Sequence, residues 1–318
     1  MRAPTEHPDV LGEGWTARTL PLRPDGQTPG PVATLVHKAP RGDAPRRAVL
    51  YVHGFVDYFF HTEFADALER AGYDLFALDL RDFGRSIQEG RTPNFTTDLA
   101  TFAEEIDASV ALIRADHDQV ALLGHSMGGL VTSLWADARA GTGRIDALVL
   151  NSPWLDLRGN WFERHVLTAA IEVVGRFLPR LVVGKAGRFY GEALHSDTGG
   201  EWTYDLAWKP HRGFPGRAGF GRTVLRGHAR VARGLAIDVP VLVLASDRSG
   251  PDARWHDELV TTDSVLDVEQ IKRRAPLLGP DVTFVEIAGG AHDLALSPAP
   301  ARDTYTAEVL AFLRAKLP

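Results

Sequence analysis

The stretch Val120-Ala121-Leu122-Leu123-Gly124-His125-Ser126-Met127-Gly128-Gly129 decides how this chain is read. Its four apolar residues make the short continuous run of a strand buried on both faces, and a helical pattern follows over 127–140. Ser126 therefore stands on the turn from strand to helix. A bare G-x-S-x-G means little, but at this turn it has a chemical purpose. A tight, strained turn lifts the serine hydroxyl clear of the sheet, and Gly124 and Gly128 keep Cβ atoms out of its way. The amide of Met127, at the helix N-terminus, can then bind developing negative charge on an oxygen.

Outward from that turn, strand and helix alternate. Strands are expected at 48–53, 74–79 and 145–151, and helices at 61–71 and along Leu99, Phe102, Ile106, Val110 and Ile113. The alternation stops between 152 and 236. It resumes with a strand at 239–245, a helix at 268–275, a strand at 282–287 and a helix at 304–316. Upstream, 15–22 and 32–37 read as a hairpin joined by Arg23-Pro24-Asp25-Gly26. The pattern predicts an α/β fold: a mostly parallel central sheet with an N-terminal antiparallel hairpin, helices on both faces and an inserted cap. Core halves 1–151 and 237–318 flank a cap at 152–236. In that insertion 161–177 has helical spacing, and 209–233, with seven Lys and Arg and no acidic residue, reads as a basic, partly irregular loop.

A serine needs a positioned base, and an oxyanion site needs a second donor. His53-Gly54-Phe55-Val56-Asp57 follows the strand at 48–53, so the Phe55 amide is the expected partner of Met127. Of the 12 His, His292 lies in Gly289-Gly290-Ala291-His292-Asp293, between the last strand and the last helix. That suits a chain order of Ser, acid, His. Asp247, Asp252, Asp257, Asp263 and Asp267 all follow the strand at 239–245. Asp263 is preferred, with 246–262 as an insertion in its loop; Asp247 is the alternative and Asp267 the expected cap of the next helix. His53, Gly54, Tyr58, Phe59, His125 and Trp154 are expected to form the substrate-binding surface.

Composition narrows the rest. The chain has 318 residues and no Cys, which removes disulfides, thiolate metal sites and cysteine nucleophiles. Its 35 Lys and Arg against 41 Asp and Glu give a net charge of −6, which argues against nucleic acid as a partner. No basic start followed by an apolar run marks a signal peptide, and no apolar stretch reaches the ~20 residues of a membrane span. A soluble, cytoplasmic protein is the expectation, with no integral membrane segment. No compact set of metal ligands and no phosphate loop appears, so neither metal nor cofactor is expected.

The chain resembles the α/β-hydrolase superfamily, in its monoacylglycerol lipase and lysophospholipase-like branch, also called serine aminopeptidase-like. The likeness covers nearly the whole length. It rests on His53-Gly54-Phe55, on Asp79-Leu80-Arg81-Asp82-Phe83-Gly84-Arg85-Ser86, on Gly124-His125-Ser126-Met127-Gly128 and on Gly290-Ala291-His292. Two departures stand out: Asp82 replaces the usual Gly of the second motif, and 246–262 displaces the acid from its usual short distance after the strand. The resemblance implies a cap that shapes substrate choice over Ser126, and Trp154, Trp161, Trp202 and Trp208, four of the seven Trp, fall within it. It also implies a serine esterase or lipase acting on small ester or lipid substrates. An amide or peptide hydrolase would need a carboxylate anchor for the substrate amine, with Glu163, Glu172, Glu192 and Glu201 as candidates; a slow ligand-binding receptor is the other alternative. A haloalkane dehalogenase is disfavoured because the turn carries Ser rather than Asp.

Overall fold

Alternation within single strands sorts the core. Along β4 (Arg47–Val52), Ala48, Leu50 and Val52 enter one apolar cluster, while Val49 and Tyr51 enter another on the opposite face. Along β6 (Gln119–His125), Val120 and Leu122 divide from Ala121 and Leu123 in the same way. Strands apolar on both sides need cover on both sides, and helices supply it. Helices α1 (Thr62–Arg70) and α8 (Ala299–Lys316) lie on one face; α2 (Ala103–Arg114), α3 (Met127–Ala138) and α7 (Val268–Arg274) lie on the other. This computed structural model describes residues 5–38, 46–159, 166–185, 187–251 and 253–318.

The described strands include one nine-stranded sheet in the order β1-β2-β3-β5-β4-β6-β7-β10-β11. Strands β5 (Asp74–Asp79), β4, β6, β7 (Ala147–Asn151), β10 (Val241–Ser246) and β11 (Val282–Ile287) are parallel. The hairpin β2 (Trp15–Pro21) and β3 (Val32–Lys38) joins antiparallel, as expected, and a further edge strand β1 (Thr5–Pro8) pairs with β2. Strands β7 and β10 are neighbours, so the chain leaves the sheet at Asn151 and re-enters beside its point of departure.

Two readings are corrected. The last helix begins at Ala299 rather than 304, because a proline in its first turn removes only an amide that has no helical partner. The segment 209–233 is mostly helix: β9 (Pro215–Arg217) pairs with β8 (Val182–Lys185), and α6 (Ala218–Ala232) follows. Several of its cations are neutralised from elsewhere in the fold, Arg222 by Glu172 at 2.9 Å and Arg230 by Asp137 at 2.8 Å, which a charge count within the segment could not reveal. The departure at Asp82 also has a local reason. Its φ is +64°, a glycine-like conformation, and the side chain is held by Arg91 through bonds of 2.6 and 2.8 Å.

Candidate active site

Ser126 has φ 52° and ψ −115°, the strained turn foreseen from the motif. Its amide donates to Asn151 O at 3.0 Å, and its carbonyl accepts from Trp154 N at 2.9 Å, so β7 and the residues after it brace the turn. Close approach explains the glycines. A Cβ on Gly128 would lie 2.4 Å from the carbonyl oxygens of both Val52 and His53, and one on Gly124 would lie 2.3 Å from Thr132 Oγ1.

The turn after β11 brings His292 against Ser126. Nε2 of the imidazole is 3.0 Å from Ser126 Oγ, and Nδ1 is 3.0 Å from Asp263 Oδ2. A carboxylate only accepts, so Nδ1 carries the proton and Nε2 is left to accept from the serine hydroxyl. Asp263 reaches this position although fifteen residues lie between it and Asp247. The loop returns to the end of β10, where Asp263 N donates to Arg248 O and Gly250 N to Asp263 O. Burial by itself raises the Asp263 carboxyl, but His292 and the amides of Leu266 and Val265 outweigh it and hold it below the usual carboxylate range. Asp247 instead accepts from Gly289 N at 3.0 Å and closes the loop between strands. Asp257 is exposed, Asp267 caps α7 by accepting from Glu269 N, and Asp252 lies outside the described residues.

Among the described residues, the amides of Phe55 and Met127 donate to no protein acceptor. Their neighbours are engaged: Val56 N donates to Asn94 Oδ1 at 2.9 Å and Gly54 N to Asp57 Oδ2 at 3.4 Å. A Cβ on Gly54 would sit 3.1 Å from Ser126 Cβ, so a side chain here would press on the serine.

The side chains expected to touch substrate divide. Phe59 is fully buried against Trp15 and Tyr51, and both ring nitrogens of His53 are committed, Nδ1 to Gly54 O and Nε2 to Leu80 N. Tyr58 is buried, and its hydroxyl accepts from Asp205 N. These three support the site from behind, because loop residues next to a buried strand end turn inward. His125 is also buried, beside Asp57, Asp293 and the His292 ring, and burial pushes it down to about 4. Ligand atoms of Asp57, His125 and Asp293 lie within 4.8 Å of one another, but the Lys209 ammonium already bonds Asp57 and supplies the cation there. Trp154 is half-buried against His228, Trp202 donates to Leu296 O, and Trp208 packs edge-on to Tyr58. Trp161 lies outside the described residues.

Contacts from the segment between β7 and β10 were not legible beforehand. Helix α5 (Phe189–Leu194) places the Tyr190 ring 5.9 Å from that of His292, and the Tyr190 hydroxyl accepts from Asp293 N at 2.9 Å. From α6, Phe220 stacks on Phe55 at 4.7 Å. Asn151, which bonds both Ser126 and Asp293, could have been suspected from its place at a strand end. Under this cover Ser126 is only 7% exposed.

A mostly parallel sheet with the strained serine turn after its central strand is the fold of the α/β-hydrolases, and solved structures agree. Monoglyceride lipase from Saccharomyces cerevisiae superposes with a TM-score of 0.68 at 17% identity, over 94% of this chain and 95% of that one. Monoacylglycerol lipase from Paleococcus ferrophilus gives 0.65 at 21% identity over 86% and 96%, and a carboxyl esterase from Bacillus coagulans gives 0.65 at 14% over 95% and 99%. Residues 43–298 match the serine aminopeptidase S33 family, and the chain belongs to that family of hydrolases. A stretch of 119 residues is 29% identical to phospholipase YtpA of Bacillus subtilis (strain 168), spanning 37% of this chain and 44% of that protein. Among the described residues no helix is long and apolar enough to cross a membrane.

Proposed function

We propose that the chain is a serine hydrolase that cleaves carboxylic esters through an acyl-enzyme, on monoacylglycerol- or lysophospholipid-like substrates. The observation that carries this is the unbroken line from Ser126 Oγ through His292 to Asp263, both links 3.0 Å, beside two unengaged amides. Ser126 attacks the ester carbonyl while His292 Nε2 takes its proton. The Phe55 and Met127 amides hold the oxyanion, and Asp263 steadies the charged imidazole. His292 then protonates the departing alcohol, and water repeats the sequence to release the acid.

Residues 152–236 act in this reading as a cap. Tyr190 and Phe220 cover the serine, so substrate entry requires them to move. An ester is favoured over a peptide because the described amine-anchor candidates are occupied: Glu172 by Arg222, Glu192 by Arg188 at 3.7 Å and Glu201 by Arg302 at 2.8 Å. Glu163 lies outside the described residues. The names of the relatives point to glycerolipids, and the panel that tests the reading runs from p-nitrophenyl acetate to long-chain monoacylglycerols and lysophospholipids. Labelling of Ser126 by a fluorophosphonate with turnover of any of these esters supports it; a folded protein that does neither is not an esterase.

A further inference from the structure

Within the segment between β7 and β10, α4 (Thr168–Phe177) packs on α6. The stretch between α5 and β9 goes elsewhere, onto the loop after β4. There Asp205 N donates to the Tyr58 hydroxyl at 2.7 Å, and the turn that follows is closed by Trp208 N and Lys209 N, both donating to Asp205 O. The same turn brings the Lys209 ammonium onto Asp57 Oδ1. Both groups are nearly out of solvent, the lysine side chain 12% exposed and the carboxylate 3%, and the ammonium also lies 5.2 Å from the Phe60 ring and 5.5 Å from that of Tyr204. A buried carboxylate needs a cation. The groups facing Asp57 are His53 and His61 of its own loop, His125 at the end of β6 and Asp293 beside the base. Burial pushes His61 and His125 below the ordinary histidine value, and Asp293 adds negative charge, so Lys209 brings the permanent positive one. Burial by itself raises the Asp57 carboxyl, but Lys209, with the histidines, holds it below the usual carboxylate range.

The place of this pair gives it a use beyond neutralisation. Asp57 Oδ2 also faces Gly54 N, at a long 3.4 Å, so one carboxylate runs from the segment 205–209 to the residue just before the Phe55 amide. On the other side of that amide Val56 has φ 52°, a conformation that a β-branched residue keeps only under constraint. Two tethers supply the constraint: Asn94, whose Oδ1 accepts from Val56 N at 2.9 Å, and Asp57 with its lysine. We propose that Lys209 is a positioning residue for the oxyanion site, fixing Asp57 and, through it, the aim of the Phe55 amide. The inference rests on the ester reading and deepens it. The cap then completes the reacting site as well as covering it, because the loop loses one of its two tethers whenever the 205–209 turn lifts.

Steady-state turnover of p-nitrophenyl acetate by the full chain, per site titrated with a fluorophosphonate, tests it together with inhibition by a trifluoromethyl ketone. The adduct of that ketone with Ser126 places an oxyanion where the reacting ester would. Lys209→Met is expected to lower kcat about 10²-fold, to leave KM within about threefold and to weaken the ketone by about the same factor as kcat. Lys209→Arg, which keeps the charge, should regain about tenfold of that loss. Removing one partner of a buried pair also destabilises, so Asp57→Asn combined with Lys209→Met, which leaves no lone charge behind, guards the fold. That double variant should melt near the wild type yet stay about tenfold or more down in kcat. Recovery of both melting and kcat in it would reduce Lys209 to a structural role. An unchanged kcat in Lys209→Met, a loss confined to KM, or a ketone affinity that does not follow kcat would equally overturn the proposal. A folded wild type that turns over no ester overturns the ester reading and this one with it; an active wild type with any of those four results overturns this one alone.

Discussion

Around Ser126 the backbone is strained and closely braced. Val56, Ser126 and Ser152 all have positive φ, Ser152 and Asp263 are fully buried, and a single Cβ on Gly128 has no room. The outer part of the segment between β7 and β10 is the reverse: Phe177 and Val173 face solvent, and a Cβ on Gly184 would meet nothing within 4 Å. The first region is over-determined by packing, so it can hold strain and aim groups at one point. The second is under-packed, the condition that movement requires. Between them lie contacts from the same segment that reach the site, among them Phe220 on Phe55, Tyr190 on His292 and Lys209 on Asp57.

The sharpest break of this comparison is chemical. Ser126→Ala is expected to lower ester turnover by roughly 10⁴-fold or more, with unchanged melting, in a p-nitrophenyl ester assay. Next comes the acid. Asp263→Asn is expected to cost roughly 10³–10⁴-fold in kcat by disturbing the imidazole tautomer, while Asp247→Asn, outside the charge line, stays within about threefold. The reverse order would remove Asp263 from the mechanism.

Packing gives a smaller contrast, read by chemical denaturation. Gly128→Ala should cost about 3 kcal/mol because two backbone carbonyls block the new methyl, whereas Gly184→Ala should change stability by less than about 0.5 kcal/mol. Equal effects would mean that the two regions are not packed differently. The smallest effect is on pH dependence. Burial pushes His125 down from 6.5 to about 4, so below 6.5 the unfolded chain takes up a proton that the folded one refuses. Its contribution is fully present above 6.5 and is lost as pH falls toward 4, amounting to roughly 2 kcal/mol at about pH 5. Urea midpoints measured from neutral to mildly acid pH should therefore fall, and His125→Gln should flatten the slope. An unchanged slope in that variant would show that His125 is not held neutral.

Much of the sheet was legible because it is built from local rules. Short apolar runs between turn residues locate the strands, and the glycine spacing around Ser126, at the turn from strand to helix, marks where the chain passes close to itself. The loop positions of Ser126 and His292 follow from the same alternation. What local pattern could not supply was anything dependent on distant pairing. Cations at 209–233 look unpaired until Glu172 and Asp137 arrive from elsewhere, and Asp263 looks too far from its strand until the loop folds back onto β10.

By itself, the sequence determined the alternating α/β order, the strained turn at Ser126 and the loop positions of Ser126 and His292, since each is written in spacing along the chain. Only the tertiary structure decided which aspartate faces His292, that His53, Tyr58 and Phe59 point inward, and that Val173 and Phe177 are left exposed. Those outcomes depend on which surfaces are covered. Coverage is a property of the packed whole, where burial and pairing across long separations outweigh local preference.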